Sequence, residues 1–404
     1  MKARCDLGWV LGGAIAVACG VMGCDLLLTE APPAGDDFVS PLPGLSPSLN
    51  RAFLDGDGAF EQAFTAQTGL GPLFNHVSCE GCHPGDGRGT EAEAFFRFSQ
   101  GGDLLREIGG PQLQDRALPG VAPEVLPEGV DTSRRLPPPV FGMGLIEAIP
   151  ATTILALADP DDEDEDGISG RPNFVAPAAF VPADQVGAGP GLQLGRFSRK
   201  ANVSSLVQQV AEAYHQDMGI TSDLIPLENP HPQAGGPVFD AAPDPEISAS
   251  TVMSATLYVR LLAPPRQQPP TGAALEGARI FAQAGCAACH VPTLKTGPHA
   301  IPQLSEVDVN LYSDLLLHDM GPALADGRPD GQATGSEWRT APLWGLRVAS
   351  DFTGGQTFYL HDGRTTSLHE AIILHGGEAE ASVRAYESSG EEGQAALRAF
   401  LLTL

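Results

Sequence analysis

Two pentapeptides constrain this chain more than anything else in it: Cys79-Glu80-Gly81-Cys82-His83 and, 207 residues later, Cys286-Ala287-Ala288-Cys289-His290. Cys-x-x-Cys-His is the attachment signature of covalent c-type haem. Each thiol adds across one haem vinyl group, and an i, i+3 spacing on a helical turn sets two sulfurs under the two vinyls. The adjacent histidine is then carried beneath the iron as proximal ligand. With 7 Cys and 10 His in 404 residues, two chance copies are improbable, and a thioredoxin-like Cys pair would not bring the histidine along. Cys79, Cys82, His83, Cys286, Cys289 and His290 are therefore the expected haem-binding set, with His83 and His290 on the metals.

The other three cysteines, Cys5, Cys19 and Cys24, lie in a leader with a basic start (Lys2, Arg4) and an apolar run from Leu7 to Met22. Its end, Val21-Met22-Gly23-Cys24, resembles a bacterial lipobox. The expectation is a lipoprotein signal over 1–23 and a lipid anchor on Cys24, which is the chain's only membrane attachment. A Pro/Gly/Ser-rich tether follows over 24–50. Export suits the haem reading, because c-type haem is attached outside the inner membrane; the expected location is the bacterial cell envelope, facing the periplasm or on the outer membrane. The net charge of −27, from 23 basic and 50 acidic side chains, argues against nucleic acid as a partner and suits a basic redox partner.

Apolar periodicity predicts helices from Leu49 toward Phe74, over Val203–Met218, Ser248–Leu262, Gly272–Ala284 and Glu391–Leu404. Few segments alternate with period two, while 48 Gly and 36 Pro imply long irregular loops, so the expected fold is mainly α. A weak internal duplication supports two haem domains, 51–265 and 266–404. Arg135-Leu136-Pro137-Pro138-Pro139-Val140-Phe141-Gly142 answers Arg339-Thr340-Ala341-Pro342-Leu343-Trp344-Gly345, and Leu145-Ile146-Glu147-Ala148-Ile149 answers Leu368-His369-Glu370-Ala371-Ile372.

That duplication yields an asymmetry. Five residues after Glu370 stands His375; five after Glu147 stands Thr152. An imidazole ligates iron and a neutral hydroxyl does so poorly. The C-terminal haem is thus expected to carry His290 and His375, and the N-terminal haem His83 with an open face. Rival second ligands are His361, His318 and Met320 in the C-terminal half, and Met143, His76 and Met218 in the N-terminal half. Glu147, among apolar neighbours, is the candidate catalytic acid/base. Arg88, Arg116 and Arg135 are available for haem propionates. Separately, Asp162-x-Asp164-x-Asp166-Gly167 is the first half of an EF-hand-type loop, so calcium is expected on Asp162, Asp164, Asp166 and the Ile168 carbonyl; Asn173 stands where such loops carry Glu.

Longer strings resemble the di-haem oxidoreductase family, related to the bacterial di-haem cytochrome c peroxidases. They include Gly71-Pro72-Leu73-Phe74-Asn75, Gln112-Leu113-Gln114-Asp115-Arg116, Gly144-Leu145-Ile146-Glu147-Ala148-Ile149-Pro150, Asp217-Met218-Gly219-Ile220-Thr221, Leu316-Leu317-His318-Asp319-Met320-Gly321 and Leu360-His361-Asp362-Gly363-Arg364. The resemblance implies two cytochrome-c-like haem domains with long irregular loops. It also implies peroxide chemistry at the N-terminal haem and electrons entering the C-terminal haem from a small donor protein, a cytochrome c or cupredoxin. In the peroxidase relatives a Met or Tyr ligand falls where His375 stands here. Where they carry an inter-haem Trp, Arg199 stands instead. Two other readings remain: oxidation of a protein or organic substrate, and plain electron transfer. Mass spectrometry of envelope-expressed protein should show two added haems, with Cys79→Ala/Cys82→Ala removing one; an unmodified chain mass would contradict the haem reading.

Overall fold

The computed structural model describes residues 35–181, 191–240 and 242–404, so the leader with Cys24 lies outside the described residues. Helices run as α1 (Pro47–Glu61), α2 (Cys79–Cys82), α3 (Met143–Ala148), α4 (Ala151–Leu155), α5 (Leu206–Met218), α6 (Ala249–Leu261), α7 (Ala273–Gln283), α8 (Cys286–Cys289), α9 (Leu368–Ile373), α10 (Glu380–Ser388) and α11 (Gly390–Leu401). Helices α5, α6, α7 and α11 fall where apolar periodicity places them; the helix expected from Leu49 toward Phe74 stops at Glu61, with Leu73–Phe74 in a short strand, and α10 lies outside the expected set. Their starts have local causes: the Ser46 hydroxyl accepts Leu49 N–H, and the Ser248 hydroxyl accepts Thr251 N–H. Helix is the main regular structure, but the fold is mixed. Six two-stranded antiparallel ladders also form among the described residues, the longest pairing Phe95–Ser99 with Asp131–Arg135. Such short strands carry too few residues for a period-two pattern to stand out in the sequence. No helix among the described residues is long and apolar enough to cross a membrane.

Three larger apolar clusters organise the chain. One lies wholly at the C-terminal end, where Ile280 and Phe281 of α7 meet Leu397, Phe400 and Leu401 of α11. A second joins Phe64 and Leu70 to Tyr214 and Met218 of α5 and Val252 of α6. The largest contains Phe53, Phe60, Ile146 and Tyr258 together with Leu294, Leu311 and Leu316, so chain on both sides of position 265 packs into one core. Burying such side chains contributes about 1.5–3 kcal/mol each.

Each haem motif is delivered by a helix pair. The α7–α11 crossing places α8, and the α1–α6 crossing backs α2. The α7–α11 approach requires Gly277, where an added Cβ would lie 1.9 Å from the Ala396 carbonyl oxygen. Gly277→Val should lower the thermal midpoint, at a cost of about 1–3 kcal/mol for overpacking; an unchanged calorimetric midpoint would contradict this packing.

Candidate functional site

Two large cavities open beside the two Cys-x-x-Cys-His turns. The C-terminal cavity is lined by Cys286, Cys289 and His290 on one side and by α9 residues with His375 on another. The N-terminal cavity is lined by Cys79, Cys82 and His83, with Leu206, Gln209, Val210, Ala213 and Gln216 of α5 along its wall. That spacing is one helical face. The Ser78 hydroxyl caps α2 through Gly81 N–H, and Gly81 has no Cβ to meet because the His76 ring occupies that space.

All three candidate imidazoles are held the same way. His83 Nδ1 bonds Gly87 O at 3.4 Å, His290 Nδ1 bonds Tyr312 O at 3.0 Å, and His375 Nδ1 bonds Ala371 O at 2.7 Å. A carbonyl accepting at Nδ1 fixes the tautomer and leaves Nε2 as a lone-pair donor, which is how ligating histidines are usually oriented. Burial pushes His83 and His290 down to about 4, so both rings are neutral and ready to ligate.

Of the rivals for the C-terminal cavity, His318 has both ring nitrogens engaged, Nε2 to Asp314 at 2.8 Å and Nδ1 to Glu378 at 2.7 Å. His361 stacks on Trp338 with ring centroids 3.6 Å apart, and Lys200 Nζ sits 4.4 Å over the same indole. His375 keeps a free nitrogen toward the cavity. Met320 also lines it. In the N-terminal cavity His83 is the only imidazole in the lining; Met143 and Met218 are present, and His76 is not.

Two expectations fall elsewhere. Thr152 is exposed on α4 and lines neither cavity, because the repeats diverge after Glu147 and α4 turns away from the site. The wall facing the N-terminal cavity is α5 instead. Glu147 also lines neither cavity. One of its oxygens accepts the Leu206 N–H at 2.9 Å and the other pairs with Arg260 at 2.7 Å, so it anchors the start of α5 rather than facing the haem space. Gln209 and Glu212 do line that space, and the Gln209 Oε1 is buried with no hydrogen-bond partner. The sequence holds a signal for them: polar side chains interrupting the apolar stripe of Leu206, Val210 and Ala213.

The cavities share a cationic wall. Arg88, Arg199 and Arg339, with Ala341 and Pro342, line both. Arg88 donates to Phe358 O at 2.7 Å, Arg199 to Leu136 O at 3.0 Å and Arg339 to Ser198 O at 3.0 Å. Those acceptors are neutral, and among the described residues none of the three arginines pairs with a carboxylate. Burial, and then Arg88, Arg339 and Arg135, push Arg199 well below its ordinary range. Of the sequence candidates, Arg88 and Arg135 line the haem spaces while Arg116 is exposed. Arg135 Nη2 lies 3.0 Å from Asp330, which Arg328 also holds at 2.8 Å. Buried cations without counter-charge are costly. Two haems, each with two propionates, fit both the ligand sets and this uncompensated wall.

In the acidic turn, oxygens of Asp159, Asp162 and Asp164 lie within 4.8 Å of one another. Asp166 instead accepts the Ile168 N–H at 2.8 Å, and Ile168 lines the C-terminal cavity. Asn173 donates to Lys200 O and Asp330 O and is unavailable to the turn. The turn is tied to the C-terminal haem space by Glu378, which accepts from Ser169 Oγ at 2.7 Å and holds His318.

The model of a family described as "Di-haem oxidoreductase, putative peroxidase" matches residues 119–404. No curated protein matches the chain. Among solved structures, a chain of Kuenenia stuttgartiensis hydrazine synthase pressurised with 20 bar xenon is similar at 15% identity and a TM-score of 0.39, over 100% of both chains. At that score it carries no argument about fold or function.

The His318 network sets a pH dependence. Burial opposes charge on His318, but hydrogen bonds to Asp314, Cys289 and Glu378 outweigh it and raise its proton affinity far above the ordinary range. Its stabilisation is complete below about pH 6.5, the unfolded value, and declines as pH rises. Burial likewise opposes Glu378's charge, while His318, Ser169 and Asp319 hold it down to about 2. Its contribution is complete above about pH 4.3 and is lost as pH falls toward 2. Glu378→Gln should flatten both limbs of a thermal midpoint-versus-pH curve; a curve parallel to that of the unsubstituted protein would contradict the network.

Proposed function

Because the chain belongs to the di-haem oxidoreductase family, we propose that it is a peroxidase-type enzyme of the cell envelope. Hydrogen peroxide is reduced in the N-terminal cavity and electrons enter through the C-terminal one. The supporting observation is the unequal ligand supply: His290 and His375, each held at Nδ1 by a carbonyl, both line the C-terminal cavity, whereas among the described residues His83 is the only imidazole lining the N-terminal one.

The haems, when bound, supply redox-active iron, and the overall half-reaction is one peroxide with two electrons and two protons giving two waters. The protein's part is attachment, orientation and charge. The thiols of Cys79, Cys82, Cys286 and Cys289 each add S–H across a vinyl C=C to give a thioether. Gly87 O and Tyr312 O orient His83 and His290 and raise their basicity. On the open side, the buried, unpartnered Gln209 Oε1 is the group available to accept a hydrogen bond from peroxide. Glu212, one turn further along α5, is the carboxylate assigned to move the proton between its oxygens. Arg88, Arg199 and Arg339, which line both cavities, would hold haem propionates there, with Arg199 standing where the family resemblance leads one to expect an aromatic bridge.

The same proposal places the protein on a lipid anchor at Cys24. A small basic donor protein, a cytochrome c or cupredoxin, is drawn to a chain of net charge −27. Calcium on the acidic turn beside Ser169 and Glu378 belongs to this proposal as well.

Purified holoprotein should turn over peroxide with a reduced cytochrome. Gln209→Leu and Glu212→Gln should each lower kcat by about 10²- to 10⁴-fold with haem content intact. Glu147→Gln should act through stability, lowering the thermal midpoint more than kcat. Full turnover in both α5 variants would contradict the assignment.

A further inference from the structure

Outside both haem spaces, the connector between α5 and α6 gathers three carboxylates that the peroxidase reading does not use. Ligand-capable oxygens of Glu228, Asp240 and Glu246 lie within 4.8 Å of one another. Glu228 is only 7% exposed and makes no hydrogen bond or ion pair among the described residues. Its Oε1 is fully buried, as are Asp240 Oδ2 and Glu246 Oε1, and none of the three oxygens has a partner. Their sister oxygens are spoken for: Glu246 Oε2 accepts from Thr221 N–H at 2.7 Å and Thr221 O–H at 2.6 Å, and Asp240 Oδ1 accepts Ala242 N–H at 2.7 Å. Each of these two carboxylates is thus held by one oxygen, while among the described residues the other is left without a hydrogen-bond partner.

Buried carboxylates ordinarily find donors, and like charges this close repel. No lysine or arginine reaches the trio among the described residues. A cation would resolve all of this at once.

We propose that Glu228, Asp240 and Glu246 bind a hard divalent cation of the calcium class. An all-oxygen donor set without imidazole or thiolate selects against zinc, copper and nickel. The site bridges the two ends of the connector. Thr221 follows the C-terminus of α5, and Glu246 stands two residues before Ser248, the N-cap of α6. Since α5 and Val259 of α6 both line the N-terminal cavity, the cation secures the wall that carries Gln209. The site is separate from the acidic turn at Asp159–Asp164.

The test is equilibrium dialysis of EDTA-stripped, full-length holoprotein against calcium chloride, with magnesium chloride in parallel, alongside thermal midpoints. Glu228→Gln and Asp240→Asn should each lose one bound equivalent and most of the cation-dependent rise in midpoint. Asp164→Asn in the acidic turn should keep that equivalent. Without cation, Glu228→Gln should melt no lower than the unsubstituted protein, because it relieves repulsion. The proposal is overturned if the unsubstituted protein binds no divalent cation at millimolar concentration, if Asp164→Asn alone abolishes all binding, or if the connector variants keep full stoichiometry. Should Glu228→Gln fail to fold, Asp240→Asn decides. None of these readouts depends on peroxide turnover, so the site and the enzymatic proposal fail separately.

Discussion

The arrangement depends on buried positive charge that, among the described residues, forms no ion pair with a carboxylate. Arg88, Arg199 and Arg339 stand between two cavities, donate only to backbone carbonyl oxygens, and repel one another. A folded chain keeps such a wall when something anionic completes it, because an unpaired buried guanidinium costs several kcal/mol. Haem propionates would supply that charge, and because the same three arginines line both cavities they could hold propionates of both cofactors.

Around that wall, each half of the chain repeats one device: a short helix carrying two thiols, a histidine whose Nδ1 is tied to a nearby carbonyl, and a longer helix pair behind it. The halves differ on the opposite face. The C-terminal half ends α9 with His375, oriented by Ala371 O like a ligand. The N-terminal half presents α5, whose polar contribution is two amides, Gln209 and Gln216, and two carboxylates, Glu212 and Asp217. On the proposed reading, one cavity would hold an iron with both faces ligated and the other an iron with one face left for a small molecule.

The two Cys-x-x-Cys-His turns that line the cavities were legible in the sequence because haem attachment would demand that fixed local spacing, and His375, which lines the C-terminal one, because it sits at a fixed offset from a repeated Glu-Ala-Ile. The long helices were legible because their apolar stripes are long. The open face was not. Thr152 shares His375's offset but not its surroundings, since the chain diverges after Glu147 and turns α4 to solvent. Glu147 had the right residue type in apolar company, yet its carboxylate is consumed by the Leu206 N–H and Arg260, partners 59 and 113 residues away. The connector trio has the same origin: Glu228, Asp240 and Glu246 carry no local motif and converge only because the loop folds back on Thr221.

The most direct measurement is low-temperature EPR of the fully oxidised, two-haem protein. The account predicts one low-spin ferric haem that disappears in His375→Ala, and one high-spin haem that shifts on adding a small exogenous ligand such as cyanide. Two low-spin haems indifferent to that ligand would contradict it, because both irons would then be saturated and no site would remain for peroxide.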